Sequence, residues 1–173
     1  MSMKPVFMDD ARFDQIVSRV TDSYPNSCVL YIDEIQNPVL ENRYQLRKAE
    51  IQRNRGSVKE MSLFHGTHEK FIDVIATNGF DPTLNTRAAF GYGVYFARDA
   101  KYSSAYMVTN KPENHAFMFM ADVLVGQTGT LGLKGDTRYD NNVDRHHDPS
   151  IVTTVYPDGA FPRYIIAFYK DAK

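Results

Sequence analysis

Three groups of residues carry side chains able to do chemistry. The first is Leu63-Phe64-His65-Gly66-Thr67, a histidine and a glycine closing an apolar run. An imidazole can hold or release a proton near neutrality, and a glycine lets a ligand lie against bare backbone. A lone histidine is more often structural than catalytic; the neighbouring glycine is what shifts the balance. The second group is Gly91-Tyr92-Gly93-Val94-Tyr95-Phe96-Ala97, followed by Asp99, Ser103 and Tyr106. On a helix opened by Asp99, Ser103 and Tyr106 are three apart and share a face, setting a hydroxyl beside an aromatic plane. Tyr95 adds a second ring if the turn folds back. Two rings flanking a hydroxyl suit a planar heteroaromatic amide, although spacing alone favours two ordinary core tyrosines. The third group, Arg145-His146-His147-Asp148, tempts a metal assignment. Adjacent loop histidines point apart, and no third ligand stands at a zinc spacing. A polar loop ending at Asp148-Pro149 is the expectation, and no metal.

The elements that must position these residues are short. Phe13, Ile16, Val17 and Val20 form a helical stripe, so a helix is predicted over Asp10–Thr21 with Asp9 or Asp10 as cap. Val29–Ile35 reads as a strand, and Asn37-Pro38 opens a second helix with inner residues Leu40, Tyr44 and Ile51. That helix also shows Arg43, Arg47, Lys48, Arg53 and Arg55. With Glu41 and Glu50 among them and no interleaved aromatics, they read as a solvated face rather than an RNA patch. Strands are predicted at Met61–Phe64, Gly93–Ala97, Ala116–Val125, Ile151–Tyr156 and Arg163–Tyr169. Short helices are predicted at Glu69–Thr77 and from Asp99 to about Val108. The pattern is α+β with largely antiparallel pairing, and without βαβα alternation or GxGxxG a dinucleotide-binding Rossmann domain is excluded.

Composition narrows the function classes. The 173 residues carry 20 Lys+Arg against 21 Asp+Glu, which argues against a duplex-binding protein. With 43% hydrophobic residues a core can form, and no apolar run reaches membrane-span length. The one cysteine, Cys28, cannot form an internal disulfide. With no signal-peptide pattern, the expectation is one domain over residues 1–173, motif-bearing from about 27 to 170, in the cytoplasm or nucleus.

Taken in order, these motifs resemble the catalytic domain of the poly(ADP-ribose) polymerase family, diphtheria-toxin-like ADP-ribosyltransferases. The carrying residues are Leu-Phe-His-Gly-Thr at 63–67, Gly-Tyr-Gly-Val-Tyr-Phe-Ala at 91–97, Asp-Ala-Lys-Tyr-Ser-Ser-Ala-Tyr at 99–106 and Phe-Pro-Arg-Tyr-Ile-Ile-Ala-Phe at 161–168. The resemblance implies two packed, mostly antiparallel sheets flanked by short helices, and NAD as co-substrate. It implies that His65 binds the adenosine ribose, that Gly66 clamps the nicotinamide carboxamide through its backbone, and that Ser103 donates to the carboxamide oxygen. Tyr106 would stack on nicotinamide, Tyr95 would be the second triad member, and Thr67 with the loop Asp81–Phe90 would meet adenosine. Where polymerases place a glutamate this chain offers Ile165 or, in a register shifted by two, Arg163. The implied activity is therefore transfer of a single ADP-ribose to a protein acceptor. An inactive NAD- or ADP-ribose-binding module and a transferase acting on nucleic-acid ends are the alternatives.

Overall fold

Caps written in the sequence start both long helices. In α1 (Ala11–Ser23), the Asp10 carboxylate accepts the Arg12 amide at 2.9 Å, and Ile16 and Val20 turn inward. In α2 (Pro38–Arg55), the Asn37 side chain accepts from the Leu40 amide at 3.2 Å, with proline in the first turn. The same Asn37 donates to the carbonyls of Ala76 and Thr77, tying α2 to α3 (Ile72–Asn78). The computed structural model describes residues 1–84, 91–109, 115–130, 136 and 138–169.

The strands are β1 (Ser2–Pro5), β2 (Cys28–Gln36), β3 (Lys59–Thr67), β4 (Val94–Ala97), β5 (His115–Val125), β6 (Thr128–Gly129), β7 (Asn141–Val143), β8 (Ile151–Thr154) and β9 (Ala160–Tyr169). They hydrogen-bond in the order β1-β2-β9-β5-β3-β4-β8-β7-β6, and apart from β6 with β7 every pairing is antiparallel. The two sheets implied by the resemblance are thus formally one sheet of two halves. The joint between halves is a single residue pair, Phe64 with Ala97.

The main core lies between those halves. Leu63, Phe119, Val123 and Ile165 from the larger half pack with Val94, Phe96, Val143 and Val152 from the smaller. On the opposite face of the larger half, Phe64, Met118, Met120 and Ile166 pack under α1. Leu40, Tyr44 and Ile51 of α2 cover Leu124 and Phe161. The alternation along β5 therefore separates two buried faces rather than a wet one from a dry one, as a central strand requires.

The basic face of α2 is largely neutralised. Arg43 pairs with Asp158 at 2.6 Å, Arg47 with Glu50 at 2.7 Å, Lys48 with Glu60 at 3.1 Å and Arg55 with Asp140 at 3.0 Å. Among the described residues, no helix is long and apolar enough to cross a membrane.

Candidate active site in the β3–β4 crevice

Because β3 and β4 meet at one pair only, they part just beyond it. Continuing the register two places would set Gly66 opposite Tyr95 and on the same face, yet no ladder joins them there. In place of the ladder, His65 bridges the gap, its Nδ1 lying 2.8 Å from the Tyr95 carbonyl oxygen. With a carbonyl as partner, Nδ1 must be the donor, which leaves Nε2 of the neutral ring as an acceptor. The ring stands edge-on to Phe80, centroids 5.2 Å apart, and 5.5 Å from Phe96. Burial among these rings pushes the His65 pKa below its ordinary value, with the Tyr95 carbonyl opposing. The histidine is therefore neutral at physiological pH.

Gly66 is where the crevice demands a residue without a side chain. A Cβ there would stand 1.9 Å from the Ser103 carbonyl oxygen and 3.3 Å from the Tyr106 Cβ. The backbone of β3 is thus pressed against the end of α4 (Ala100–Ser104) while remaining partly open to solvent. Ser103, 3% exposed, donates from Oγ to the Phe64 carbonyl at 3.0 Å. Tyr106 follows 45% exposed, and its ring lies 5.8 Å from that of Tyr102. Desolvation, with a hydrogen bond to Tyr106, raises the Tyr102 phenol to about 12. The Tyr95 hydroxyl donates to the Gly91 carbonyl at 2.7 Å. Gly93, at φ 140°, approaches Thr154 so closely that a Cβ would sit 2.6 Å from its carbonyl oxygen. The glycines of 91–97 are thus needed to fold the loop back beneath Tyr95.

The helix expected to run to Val108 stops at Ser104. The amides of Tyr106 and Met107 bond back to the carbonyls of Ser103 and Ser104, a tighter i→i−3 turn. Val108 then joins the end of β3, its amide donating to the Thr67 carbonyl and its carbonyl accepting from Glu69. Ser103 and Tyr106 remain neighbours on that turn. Asp99 occupies the cap position without a side-chain bond, and Ser23 Oγ accepts the Ala100 amide at 2.8 Å instead. Thr67 is buried, its carbonyl engaged by Val108. Of the loop Asp81–Phe90, residues 85–90 lie outside the described residues.

Ile165 and Arg163 part company. Ile165 pairs with Phe119, which pairs with His65, so the three form one row across β9, β5 and β3. Two strand spacings put Ile165 about 10 Å from the His65 position. It is 2% exposed within the core between the halves. Arg163 falls at the register shift of β9 and turns to Asp122 at 2.8 Å and Glu41 at 3.2 Å. The roles of Phe80 and Phe96 as aromatic walls and of Tyr102 as neighbour to Tyr106 were not anticipated, although Phe96 lies within the motif 91–97 and Tyr102 within 99–106, four residues before Tyr106.

A family model described as the poly(ADP-ribose) polymerase catalytic domain matches residues 11–151. This chain belongs to that family. The polymerase-family match takes in His65, Gly66, Tyr95, Ser103 and Tyr106 and ends before β9, which carries Ile165. The chain is 34% identical over 157 residues to mouse protein mono-ADP-ribosyltransferase PARP12, covering 82% of this chain and 22% of that protein. It is 28% identical over 193 residues to mouse protein mono-ADP-ribosyltransferase PARP11, covering 91% and 57%. It is also 28% identical over 176 residues to human protein mono-ADP-ribosyltransferase PARP14, covering 93% and 10%. The chain therefore spans from a tenth to under three fifths of these relatives.

Proposed function

We propose that this chain transfers one ADP-ribose from NAD to a protein acceptor and releases nicotinamide. The feature that supports the reading is a bare glycine backbone pressed against the turn that carries the buried Ser103 hydroxyl and Tyr106, with Tyr95 on the strand across the gap. These groups, Gly66, Ser103, Tyr95 and Tyr106, fit a planar aromatic carboxamide. NAD supplies an anomeric carbon whose cationic leaving group departs as positive charge grows on the ribose. The ring of that leaving group lies between Tyr95 and Tyr106, its amide against the Gly66 backbone. Ser103 turns its hydroxyl from the Phe64 carbonyl to the carboxamide oxygen, a rotation about one bond. His65, held by the Tyr95 carbonyl, accepts a ribose hydroxyl at Nε2. Fixing the leaving group in this way orients the bond to be broken without an acid or base.

Ile165 completes the account as the third triad position. An alkyl side chain cannot take a proton from an incoming ribose hydroxyl, and without a base that step slows by about 10²–10⁴-fold. A protein carboxylate is already ionised and needs no such help. One transfer proceeds and elongation does not. The paired cations of α2 give no support to a nucleic-acid acceptor.

The test of the pocket is a thermal melt with a benzamide. Binding to the folded state raises the melting temperature. Ser103→Ala and Tyr106→Ala are expected to reduce the shift, the former by removing a hydrogen bond of about 0.5–1.5 kcal/mol. An unchanged shift in both variants would remove the assignment.

A further inference from the structure

The single-pair joint between β3 and β4 opens on both sides of Phe64. One opening holds Gly66 and Tyr95; the other lies toward the start of β3. There β4 has ended, and the space beside β3 is bordered by the loop carrying His146, His147 and Asp148. The result is a cleft of about 370 Å³, within the size range of small-ligand sites. Lys59 to His65 spans six residues of strand, so it lies about 20 Å from the crevice.

The lining has two characters. Val58, Met61, Val125 and Pro149 contribute apolar surface, while the exposed Lys59, His146 and His147 line the same cleft. Among the described residues Asp148 is the one carboxylate of the lining, and both its oxygens are engaged by the Arg98 guanidinium. Arg98 also donates to the Pro149 carbonyl, and Arg145 to the Asp148 carbonyl at 2.8 Å. Two arginines thus fix the loop with Asp148 at φ 51°, in the left-handed region. His146 Nδ1 lies 3.1 Å from the Thr128 hydroxyl. When that hydroxyl donates, Nε2–H is left as a donor. With the acid neutralised, Lys59 and the imidazoles offer donors to an anion, beside an apolar wall for a base or sugar.

We propose that this cleft is a second ligand site, taking a phosphate-bearing molecule of nucleotide size through Lys59, His146 and His147. Pyrophosphate is common to free nucleotides and to an ADP-ribosyl group, so one chemistry serves both sources. Acidic peptides fit less well, because a concave site of this volume favours a compact polyanion over an extended chain.

The experiment is calorimetric titration of the whole chain with inorganic pyrophosphate and, separately, with ADP-ribose. Lys59→Glu is expected to weaken pyrophosphate binding by about tenfold or more, and Tyr106→Ala to leave it unchanged. Lys59 is exposed, so the variant should fold; circular dichroism checks this, and His146→Ala provides a second reading of the same site. ADP-ribose binding far more tightly than pyrophosphate, with the same loss in Lys59→Glu, identifies a nucleotide ligand; equal affinities identify free phosphate. Absence of pyrophosphate binding at millimolar concentration, or binding indifferent to both Lys59→Glu and His146→Ala, would overturn the proposal. None of these outcomes depends on transfer activity, so failure here is distinct from failure of the benzamide test.

Discussion

At the scale of single residues, the crevice depends on two neighbours with opposite requirements. Gly66 has to be small, since its backbone already touches the Ser103 carbonyl. His65 has to be large enough to reach the Tyr95 carbonyl across the gap and to pack on Phe80 and Phe96. Its placement makes the proposed ribose-binding group also a member of an aromatic cluster, so replacing it by alanine would confuse the two roles. A pH titration separates them better. The His65 pKa is lowered from 6.5 in the folded chain, so the unfolded chain takes up the proton more readily. Stability must then fall as the pH drops below about 6.5 and recover above it. Asp122, raised by burial, contributes with the opposite sign, but near the lower, carboxylate range. The expected result is a melting temperature that declines between about pH 6.5 and 5, with a shallower decline in His65→Gln. A slope identical in the variant would show that the histidine is not buried neutral.

At the scale of elements, Asn37 shows how one side chain positions several. It caps α2 at Leu40 and holds the end of α3 through Ala76 and Thr77, all while 5% exposed. Asn37→Ala is expected to cost about 0.5–2 kcal/mol for the cap, with a further loss for the buried Ala76 carbonyl left without its donor. Urea denaturation measures it, and a cost near zero would contradict the arrangement. The cap itself was legible in Asn37-Pro38, as were α1 from its apolar stripe and β5 from its alternation, because those signals are local. What was not legible depended on contacts distant in sequence. β1, with the residues Ser-Met-Lys-Pro, has no apolar alternation and exists by pairing with β2. β7 is the three residues Asn141–Val143 held by β8. The early end of α4 follows from Val108 being claimed by β3. The candidate site was readable as a set of motifs, yet its walls were not: Phe80 reaches His65 only through the folding of the halves.

At the scale of the whole molecule, two half-sheets joined at Phe64 and Ala97 produce openings on either side of one pair. One carries the proposed transfer site and the other the proposed anion site. The row His65–Phe119–Ile165 crosses the larger half, and the proposed function assigns Ile165 the place where elongation would need a base. On that proposal a one-unit product is expected, since the first transfer would meet an ionised carboxylate while extension would need a sugar hydroxyl deprotonated. The most direct test is mass spectrometry of the protein after incubation with NAD, read at each modified residue. The expected result is a gain of one ADP-ribosyl unit at each modified carboxylate, lost when NAD is omitted. A residue bearing two or more linked units, or no mass gain at all, would contradict it.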